Sequence, residues 1–251
     1  MLRKRIIPIL SLQNESLVKT INFKNINYIG DPCNTVRIFN ELEVDELVIC
    51  DIRASLNKSE PNFKLLQDIS SECFMPLVYG GGIKSLDQAK KIFDLGFEKI
   101  IINSCSFSDH NILSKIASSY GSQALICSID VKKNFFGKKL VYSHSGTHNT
   151  NHTPLFWAKE VEKRGAGEIL LTSIDREGTW KGFDFDLSSY IAKNTSIPVI
   201  GHGGASNIND INEILSKTDL SGVALGSMVL YQKKGMGVLI NFPNKRLLSQ
   251  Y

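Results

Sequence analysis

Residues 76–85 read PLVYGGGIKS, and residues 198–207 read PVIGHGGASN. Each stretch is a short apolar run that begins with proline and leads into consecutive glycines, as a buried β-strand followed by a tight turn would. The two stretches lie roughly 120 residues apart, about half the chain length. Backbone N–H groups in such turns, and the start of the next helix, can bind a phosphate. The duplication favours two matching anion sites over two ordinary turns.

Two further segments recur at nearly the same offset. CDIRAS at residues 50–55 corresponds to TSIDREG at 172–178, and IINSCSF at 101–107 corresponds to VALGSMV at 223–229. An internal repeat of this kind indicates one half-unit used twice.

Hydrophobic periodicity predicts eight successive strand and helix units. Apolar runs of strand length alternate with helical patterns, which is typical of a parallel sheet with helical crossovers. The predicted strands lie near Ile6–Leu10, Glu46–Cys50, Leu77–Tyr79, Lys99–Ile102, Ala124–Ile129, Glu168–Thr172, Val199–Gly201 and Gly222–Leu225. We therefore predict an α/β protein with one domain over residues 1–251, a (β/α)8 TIM barrel with half-barrels at about 1–121 and 122–251.

Composition narrows the class of ligand. The chain has 251 residues, of which 42% are hydrophobic and 22% charged, and a formal net charge of +4. Its basic residues are scattered, which argues against a nucleic-acid partner but suits an anionic small molecule. The five cysteines have no metal-ligand spacing, and no cofactor fingerprint follows the first strand, so we expect no metal and no cofactor. We also expect reduced, mostly buried thiols, a cytoplasmic location and no membrane partner.

Two connections are longer than a plain loop. Residues 12–31 follow the first strand, and residues 132–152 follow the fifth and contain a predicted hairpin, KNFFGKKLVYSHSG. Both leave the carboxyl ends of strands, where barrel enzymes keep their chemistry, so we expect at least one to be a lid. The tail after Leu230 is a poor helix, and we expect the closing helix to be shortened or displaced.

The half-repeat pairs the ends of the first and fifth strands. It places Ser11 and Asp130 opposite each other across the mouth of the barrel. A carboxylate there can act as a general acid or base on a bound ligand. The alternative to a catalytic role is a structural one, in which Asp130 caps a helix or forms a salt bridge with Lys132.

Specific blocks of sequence are spread over nearly the whole chain except the tail: RIIP, LVKT, GDP, VDELVICDI, PLVYGGGIKS, KIIINS, YGSQ, SIDVK, WAKEVEKRGAGEILLTSIDREGT and the GGA of GHGGASN. Through these blocks the chain resembles the cyclase subunit of imidazole glycerol phosphate synthase, HisF. In that family, ammonia from a glutaminase travels through the barrel to a phosphorylated ribulosyl substrate. The resemblance implies the barrel fold, a lyase of histidine biosynthesis and a ligand with a phosphate at each end.

The resemblance also implies roles for individual residues. Asp130 matches one of the two catalytic aspartates of the family, and Lys19 and Asp51 match positions in its active-site region. The implied phosphate sites are Gly81, Gly82, Asn103 and Ser104 for one end, and Gly178, Gly203, Gly204, Gly226 and Ser227 for the other.

Ser11 is the main departure from the family, because the second catalytic aspartate falls on this position. A serine hydroxyl does not act as a general acid or base near neutral pH without a partner. His202, where the family has a small residue, is either a titrating replacement or a packed, hydrogen-bonded histidine.

Four charged residues stand at the beginnings of the first, second, fourth and sixth strands. They are Arg5, Glu46, Lys99 and Glu168. Charges inside a barrel are costly unless they are paired. The resemblance implies the gate of an ammonia channel, and the alternative is a stabilising ring of ion pairs.

Because the gate residues are retained and one catalytic carboxylate is lost, the chain resembles HisF-like paralogues. These supply ammonia for amidation of surface-polysaccharide sugars. The implied partners are a HisH-like glutaminase, in a heterodimer, and a separate sugar amidotransferase. One alternative is an authentic histidine-pathway cyclase, and another is a non-catalytic protein that binds a phosphometabolite and activates the glutaminase.

Overall fold

The computed structural model describes residues 4–244 and residue 248. In chain order its elements are β1 (Arg5–Gln13), β2 (Ser16–Ile21), β3 (Lys24–Gly30), α1 (Pro32–Glu41), β4 (Leu47–Asp51), α2 (Ala54–Asn57), α3 (Phe63–Ser71), β5 (Leu77–Gly80), α4 (Leu86–Asp94), β6 (Lys99–Ile102), α5 (Cys105–Ser108), α6 (Ile112–Tyr120), β7 (Leu125–Lys133), β8 (Lys139–Ser143), β9 (His148–Asn149), α7 (Pro154–Lys163), β10 (Glu168–Ser173), α8 (Phe185–Asn194), β11 (Val199–His202), α9 (Ile208–Lys217), β12 (Gly222–Leu225) and α10 (Ser227–Leu230).

Eight parallel strands close into a barrel in the order β1, β4, β5, β6, β7, β10, β11 and β12. The last strand pairs with the first, Arg5 opposite Gly222, so the barrel has no open edge. The predicted (β/α)8 fold is confirmed, because all eight predicted strands are barrel strands. The half-barrel boundary and the domain span stay predictions, and residues 1–3, 245–247 and 249–251 lie outside the described part.

Strand side chains alternate between two apolar layers, as the pleat requires. On β1, Ile7 and Ile9 point into the barrel, whereas Ile6 and Leu10 pack against the surrounding helices. The inner layer is completed by Val48, Val78, Ile101, Ile126, Leu170, Ile200 and Ala224. Because both faces are buried, the strands read as nearly continuous apolar runs in the sequence.

Two hairpins rise from the carboxyl ends of the barrel strands. The predicted hairpin after the fifth barrel strand is confirmed, since β7 pairs antiparallel with β8. The hairpin of β2 and β3 within residues 12–31 was not predicted. The expectation of a shortened closing helix is confirmed, because α10 has only four residues.

The cysteine expectation needs a correction. Only Cys127 is fully buried, while Cys33, Cys50, Cys73 and Cys105 are half-buried. All five are free thiols. Among the described residues, none of the helices combines the length and apolar character needed to cross a bilayer.

Candidate active site

A cavity of about 190 Å³, which we call the main cavity, opens at the carboxyl ends of the barrel strands. Its walls come from strand ends and from the two hairpins, including Phe23 and Ser145. The predicted site residues that line it are Ser11, Lys19, Asp51, Gly81, Gly82, Asn103, Ser104, Asp130 and Gly226. The structure therefore brings together the predicted catalytic positions and one predicted phosphate site.

Asp130 is a buried carboxylate on β7, and it accepts hydrogen bonds from Asn103 Nδ2 (2.8 Å) and Ser128 Oγ (3.0 Å). Burial raises its pKa to about 6, although the hydrogen bonds from Ser128, Asn103 and Thr172 favour the charged form. The proposed pairing with Lys132 is wrong, because the Lys132 ammonium lies over the Tyr142 ring, 5.5 Å from its centroid. A carboxyl group with this pKa can exchange a proton near neutral pH.

Ser11 lies on β1, on the opposite side of the barrel from β7, and both Ser11 and Asp130 line the main cavity. Asp51, at the end of β4, accepts hydrogen bonds from the backbone N–H groups of Arg53 (2.9 Å) and Ala54 (3.0 Å). Burial raises the pKa of Asp51, against the effect of these two bonds. Its Oδ1 atom is therefore engaged in holding the loop that follows its own strand.

Lys19, on β2, is buried and forms an ion pair with Glu177, and its Nζ atom also donates to the Thr20 carbonyl at 2.8 Å. The Glu177 carboxylate further accepts from Thr20 Oγ1 (3.1 Å) and the Phe23 backbone N–H (3.2 Å). Burial lowers the pKa of Lys19 to about 7. These contacts fasten the β2–β3 hairpin to the loop that follows β10.

His202, at the end of β11, is held by a hydrogen bond between its Nδ1 atom and Thr172 Oγ1 (3.2 Å). Burial, and secondarily the charge of Lys19, lowers its pKa to about 3. The ring is therefore neutral at physiological pH. The hydrogen bond agrees with the packed alternative, and a neutral ring does not favour His202 as a titrating replacement for an aspartate.

Two glycines of the duplicated turns have a positive φ and too little room for a side chain. Gly81 has a φ of +125°, and a Cβ atom there would lie 2.6 Å from the Asp51 carbonyl oxygen. Gly204 has a φ of +103°, and its Cβ atom would lie 2.1 Å from the Gly182 carbonyl oxygen. Both turns therefore need glycine to pack against the preceding strand-end loop.

The expected contribution of the following helix needs a correction. Helix α4 begins at Leu86, beyond Ile83, where this loop stops lining the main cavity. One donor of the first turn, Gln88 N, is already bound to Ser85 Oγ (3.2 Å), and Lys84 N, just before the helix, donates to Gln88 Oε1 (2.7 Å). The start of α4 therefore adds nothing to the cavity.

A smaller cavity, which we call the second pocket, lies beside the main one. It is lined by the other predicted phosphate residues, Gly178, Gly203, Gly204, Gly226 and Ser227. Its volume is about 10 Å³, which is about the room for one water molecule. A backbone hydrogen bond from Gly182 N to the Gly204 carbonyl (2.8 Å) holds the post-β10 loop against this turn.

Four charged residues form a closed ring at the opposite, amino-terminal mouth of the barrel. In this charged ring, Arg5 contacts Glu46 (2.8 Å) and Glu168, while Lys99 contacts Glu46 (3.0 Å) and Glu168 (3.4 Å). Both carboxylates are buried, whereas the side chains of Arg5 and Lys99 remain 27% and 22% exposed. The positions of these four residues at the beginnings of barrel strands therefore bring them together at one mouth.

Sequence reasoning missed three residues of the site: Arg53, Thr172 and Glu177. Arg53 is one of the residues that line the main cavity, Thr172 connects Asp130 with His202, and Glu177 pairs with Lys19. Each lies inside one of the repeated blocks CDIRAS and TSIDREG, and membership of these blocks is the sequence signal that marks them.

A closed parallel barrel with a cavity that contains carboxylates at the carboxyl ends of its strands is the architecture of barrel enzymes. The chain belongs to the family described as "Histidine biosynthesis protein", whose model matches residues 5–235. It is 48% identical, over 99% of each chain, to a Pseudomonas aeruginosa protein provisionally named imidazole glycerol phosphate synthase subunit hisF2. It is 37% identical to imidazole glycerol phosphate synthase subunit HisF of Streptococcus mutans, over 92% of each chain. Identity to the HisF of Sulfolobus acidocaldarius is 41%, over 87% of this chain and 88% of that one.

Proposed function

We propose that this protein is a HisF-type synthase subunit that accepts ammonia from a glutaminase and delivers it through the barrel for nitrogen transfer. The transfer amidates a surface-polysaccharide sugar, together with a separate amidotransferase. The glutaminase is HisH-like and binds at the amino-terminal mouth.

The observation that carries this proposal is the pairing of the charged ring with the main cavity at opposite ends of one apolar barrel interior. The ring surrounds the barrel axis, and its two cations remain partly exposed. Between the two ends the lining is aliphatic, with Ile7 and Val78 among the inward-facing residues. An uncharged ammonia molecule meets little electrostatic cost along such a path, unlike an ammonium ion.

The carboxylates of the main cavity favour nitrogen transfer over cyclisation. Its lining includes three, Asp51, Asp130 and Glu177. Asp51 holds the backbone of its own loop, and Glu177 is paired with Lys19. Asp130 therefore remains as the carboxylate for proton transfer. Ser11, on the opposite side of the cavity, does not supply a second carboxylate for the complementary proton transfer.

An authentic histidine-pathway cyclase is the second candidate. The pKa of about 6 for Asp130 favours it, because this carboxyl group is suited to acid–base chemistry, and so do the relatives named HisF. In this reading the two phosphate sites hold the two ends of the ribulosyl substrate. A non-catalytic activator of the glutaminase is the third candidate, and it is supported only by Ser11.

The channel is tested by following nitrogen from amide-15N glutamine into the amidated sugar, with the glutaminase and amidotransferase of the same organism. We expect Lys99→Ala to lower this transfer at least tenfold while the glutaminase still binds, because the ring opens to solvent. Lys90→Ala, which removes an exposed ion pair with Asp94 on α4, is the matched control. Unchanged transfer in Lys99→Ala, with the glutaminase bound, would refute the channel.

A further inference from the structure

The β7–β8 hairpin carries two exposed aromatic side chains at its tip. Phe135 and Phe136 are 98% and 88% exposed. Their rings contact each other edge to face, with centroids 5.6 Å apart. Two adjacent exposed rings form part of an apolar patch, and patches of this kind mark surfaces that contact another molecule.

The turn that carries these rings is held by hydrogen bonds. Asn134 Oδ1 accepts from the backbone N–H groups of Phe136 (3.0 Å) and Lys138 (2.9 Å). Asn134 N donates to the Lys138 carbonyl (2.9 Å), and Gly137 N donates to the Asn134 carbonyl (3.0 Å). The backbone that presents the rings is therefore ordered before a partner binds, which lowers the entropic cost of binding.

A groove between the amino-terminal halves of α7 and α8 extends the apolar surface of the hairpin tip. Two of its aromatic side chains, Phe156 and Tyr190, are 51% and 54% exposed. Lys139, just after the tip, also lines the groove, and it pairs with Asp184 before α8 at 2.7 Å. The tip and the groove therefore adjoin. Together they form what we call the aromatic surface, with exposed rings from Phe135, Phe136, Phe156 and Tyr190.

The same hairpin reaches the main cavity at its other end. The turn after β8 contributes Ser145 and Thr147 to the cavity lining. A protein bound to the aromatic surface would therefore lie beside the opening through which ammonia leaves the barrel in the proposed function. Ammonia released into bulk water is diluted, whereas release beside a docked enzyme keeps its effective concentration high. This position suits the enzyme that uses the ammonia.

The charge around the hairpin tip indicates the chemistry of the partner. Residues 132–139 read KKNFFGKK, with four lysines and no acidic residue. Lys133 and Lys138 are exposed. A second copy of this chain, docked tip to tip, would bring these like charges together, whereas an acidic surface would be attracted to them. The charge therefore favours a different protein over a second copy.

We propose that the aromatic surface is the docking site of the amidotransferase that uses the ammonia, and that this enzyme presents an apolar pocket with an acidic rim. The inference deepens the proposed function, on which it rests. Phe135 and Phe136 are the apolar anchors, and Lys133 and Lys138 supply the electrostatic attraction. The carboxyl-terminal mouth is then the side of the acceptor enzyme, and the amino-terminal mouth is the side of the glutaminase.

Biolayer interferometry between the purified protein and the amidotransferase of the same organism, without glutaminase or glutamine, tests this proposal. We expect the double variant Phe135→Ser/Phe136→Ser to weaken binding about tenfold or more, because exposed aromatic anchors carry much of the affinity of an interface. Phe74→Ser is the matched control, since it removes a ring that is 89% exposed in the loop between α3 and β5, and it should leave the affinity unchanged. Lys138→Glu should weaken binding about threefold or more, whereas Lys163→Glu, in the last turn of α7, should not.

The proposal is overturned if the double variant binds the amidotransferase as tightly as the wild-type protein does, or if the wild-type protein shows no binding at about 100 μM. It is also overturned if the wild-type protein self-associates in sedimentation velocity and Phe135→Ser/Phe136→Ser abolishes this, because a second copy would then cover the surface. The nitrogen-transfer assay separates this inference from the proposed function. Transfer from glutamine by the wild-type protein without measurable binding of the amidotransferase would refute the docking site and leave the proposed function standing.

Discussion

At the scale of the residue, Asp130 shows how burial and hydrogen bonding oppose each other. Asn103 and Ser128 donate to its carboxylate and favour the charged form, but removal from water outweighs them. The native pKa of about 6 lies above the usual value of about 3.9 for an unfolded aspartate. The ionised carboxylate is therefore a source of instability that the fold tolerates.

This shift predicts a pH dependence of stability. Between pH 4 and 6 the folded protein keeps a proton on Asp130 that the unfolded chain has released, so the free energy of unfolding falls as pH rises through this window. Above pH 6 the cost of ionising Asp130 in the folded protein is constant, at about 1–3 kcal/mol.

Asp130→Asn should remove this cost, so the variant should gain stability relative to wild type as pH rises from 4 to 7 in urea titrations. Asp94→Asn, at an exposed carboxylate, is the control. A difference between wild type and Asp130→Asn that does not change with pH would contradict the assignment.

At the scale of the element, the two long connections meet above the main cavity. Ser145 Oγ, in the turn after β8, donates to the Ile52 carbonyl at 2.5 Å. A Cβ atom on Gly146 would lie 3.0 Å from Ile174 and 3.2 Å from the ring of Phe23. Residues of the β2–β3 hairpin, the β8–β9 turn and the post-β10 loop therefore pack together over the carboxyl ends of the strands. The expectation that at least one connection moves as a lid stays a prediction.

The turn at Gly204 gives a mutational prediction for the post-β10 loop. In Gly204→Ala the new side chain is strained by the positive φ of this residue. Its methyl group would also lie 2.1 Å from the Gly182 carbonyl oxygen. Gly96→Ala is matched in backbone conformation, with a φ of +93°, but its added methyl group meets nothing within 4 Å. We expect losses of about 1 kcal/mol for Gly96→Ala and about 2–4 kcal/mol for Gly204→Ala in urea titrations. Equal losses would show that the turn and loop move apart freely.

The barrel strands were predictable from sequence, but the contacts that shape the site were not. Strands such as Leu77–Gly80 are buried on both faces, so their apolar runs and following glycines are a local signal. The pairing of Lys19 with Glu177 joins residues on two distant segments, and only the packed structure selects that partner. Arg53 was missed because nothing local distinguishes an arginine in a cavity from one in solvent. Ser11 and Asp130 were predicted because the half-repeat relates their strands.

At the scale of the whole molecule, the barrel is polar at both ends and apolar between them. The charged ring links β1, β6, β10 and the residue just before β4 at one mouth. The main cavity lies at the other mouth, and Ile7, Val48 and Leu170 belong to the layer between them. Under the proposed function, this arrangement separates the mouth where ammonia enters from the cavity where it reacts, and the cavity has Ser11 across from Asp130 rather than a second carboxylate.

The most direct measurement is an assay of the purified protein with saturating ammonium salt and the phosphorylated ribulosyl substrate of the HisF family, for wild type, Ser11→Asp and Ser11→Asn. We predict no imidazole glycerol phosphate from the wild type or from Ser11→Asn, and formation of this product by Ser11→Asp, because only the restored carboxylate complements Asp130. Turnover of this substrate by the wild-type protein would contradict the account.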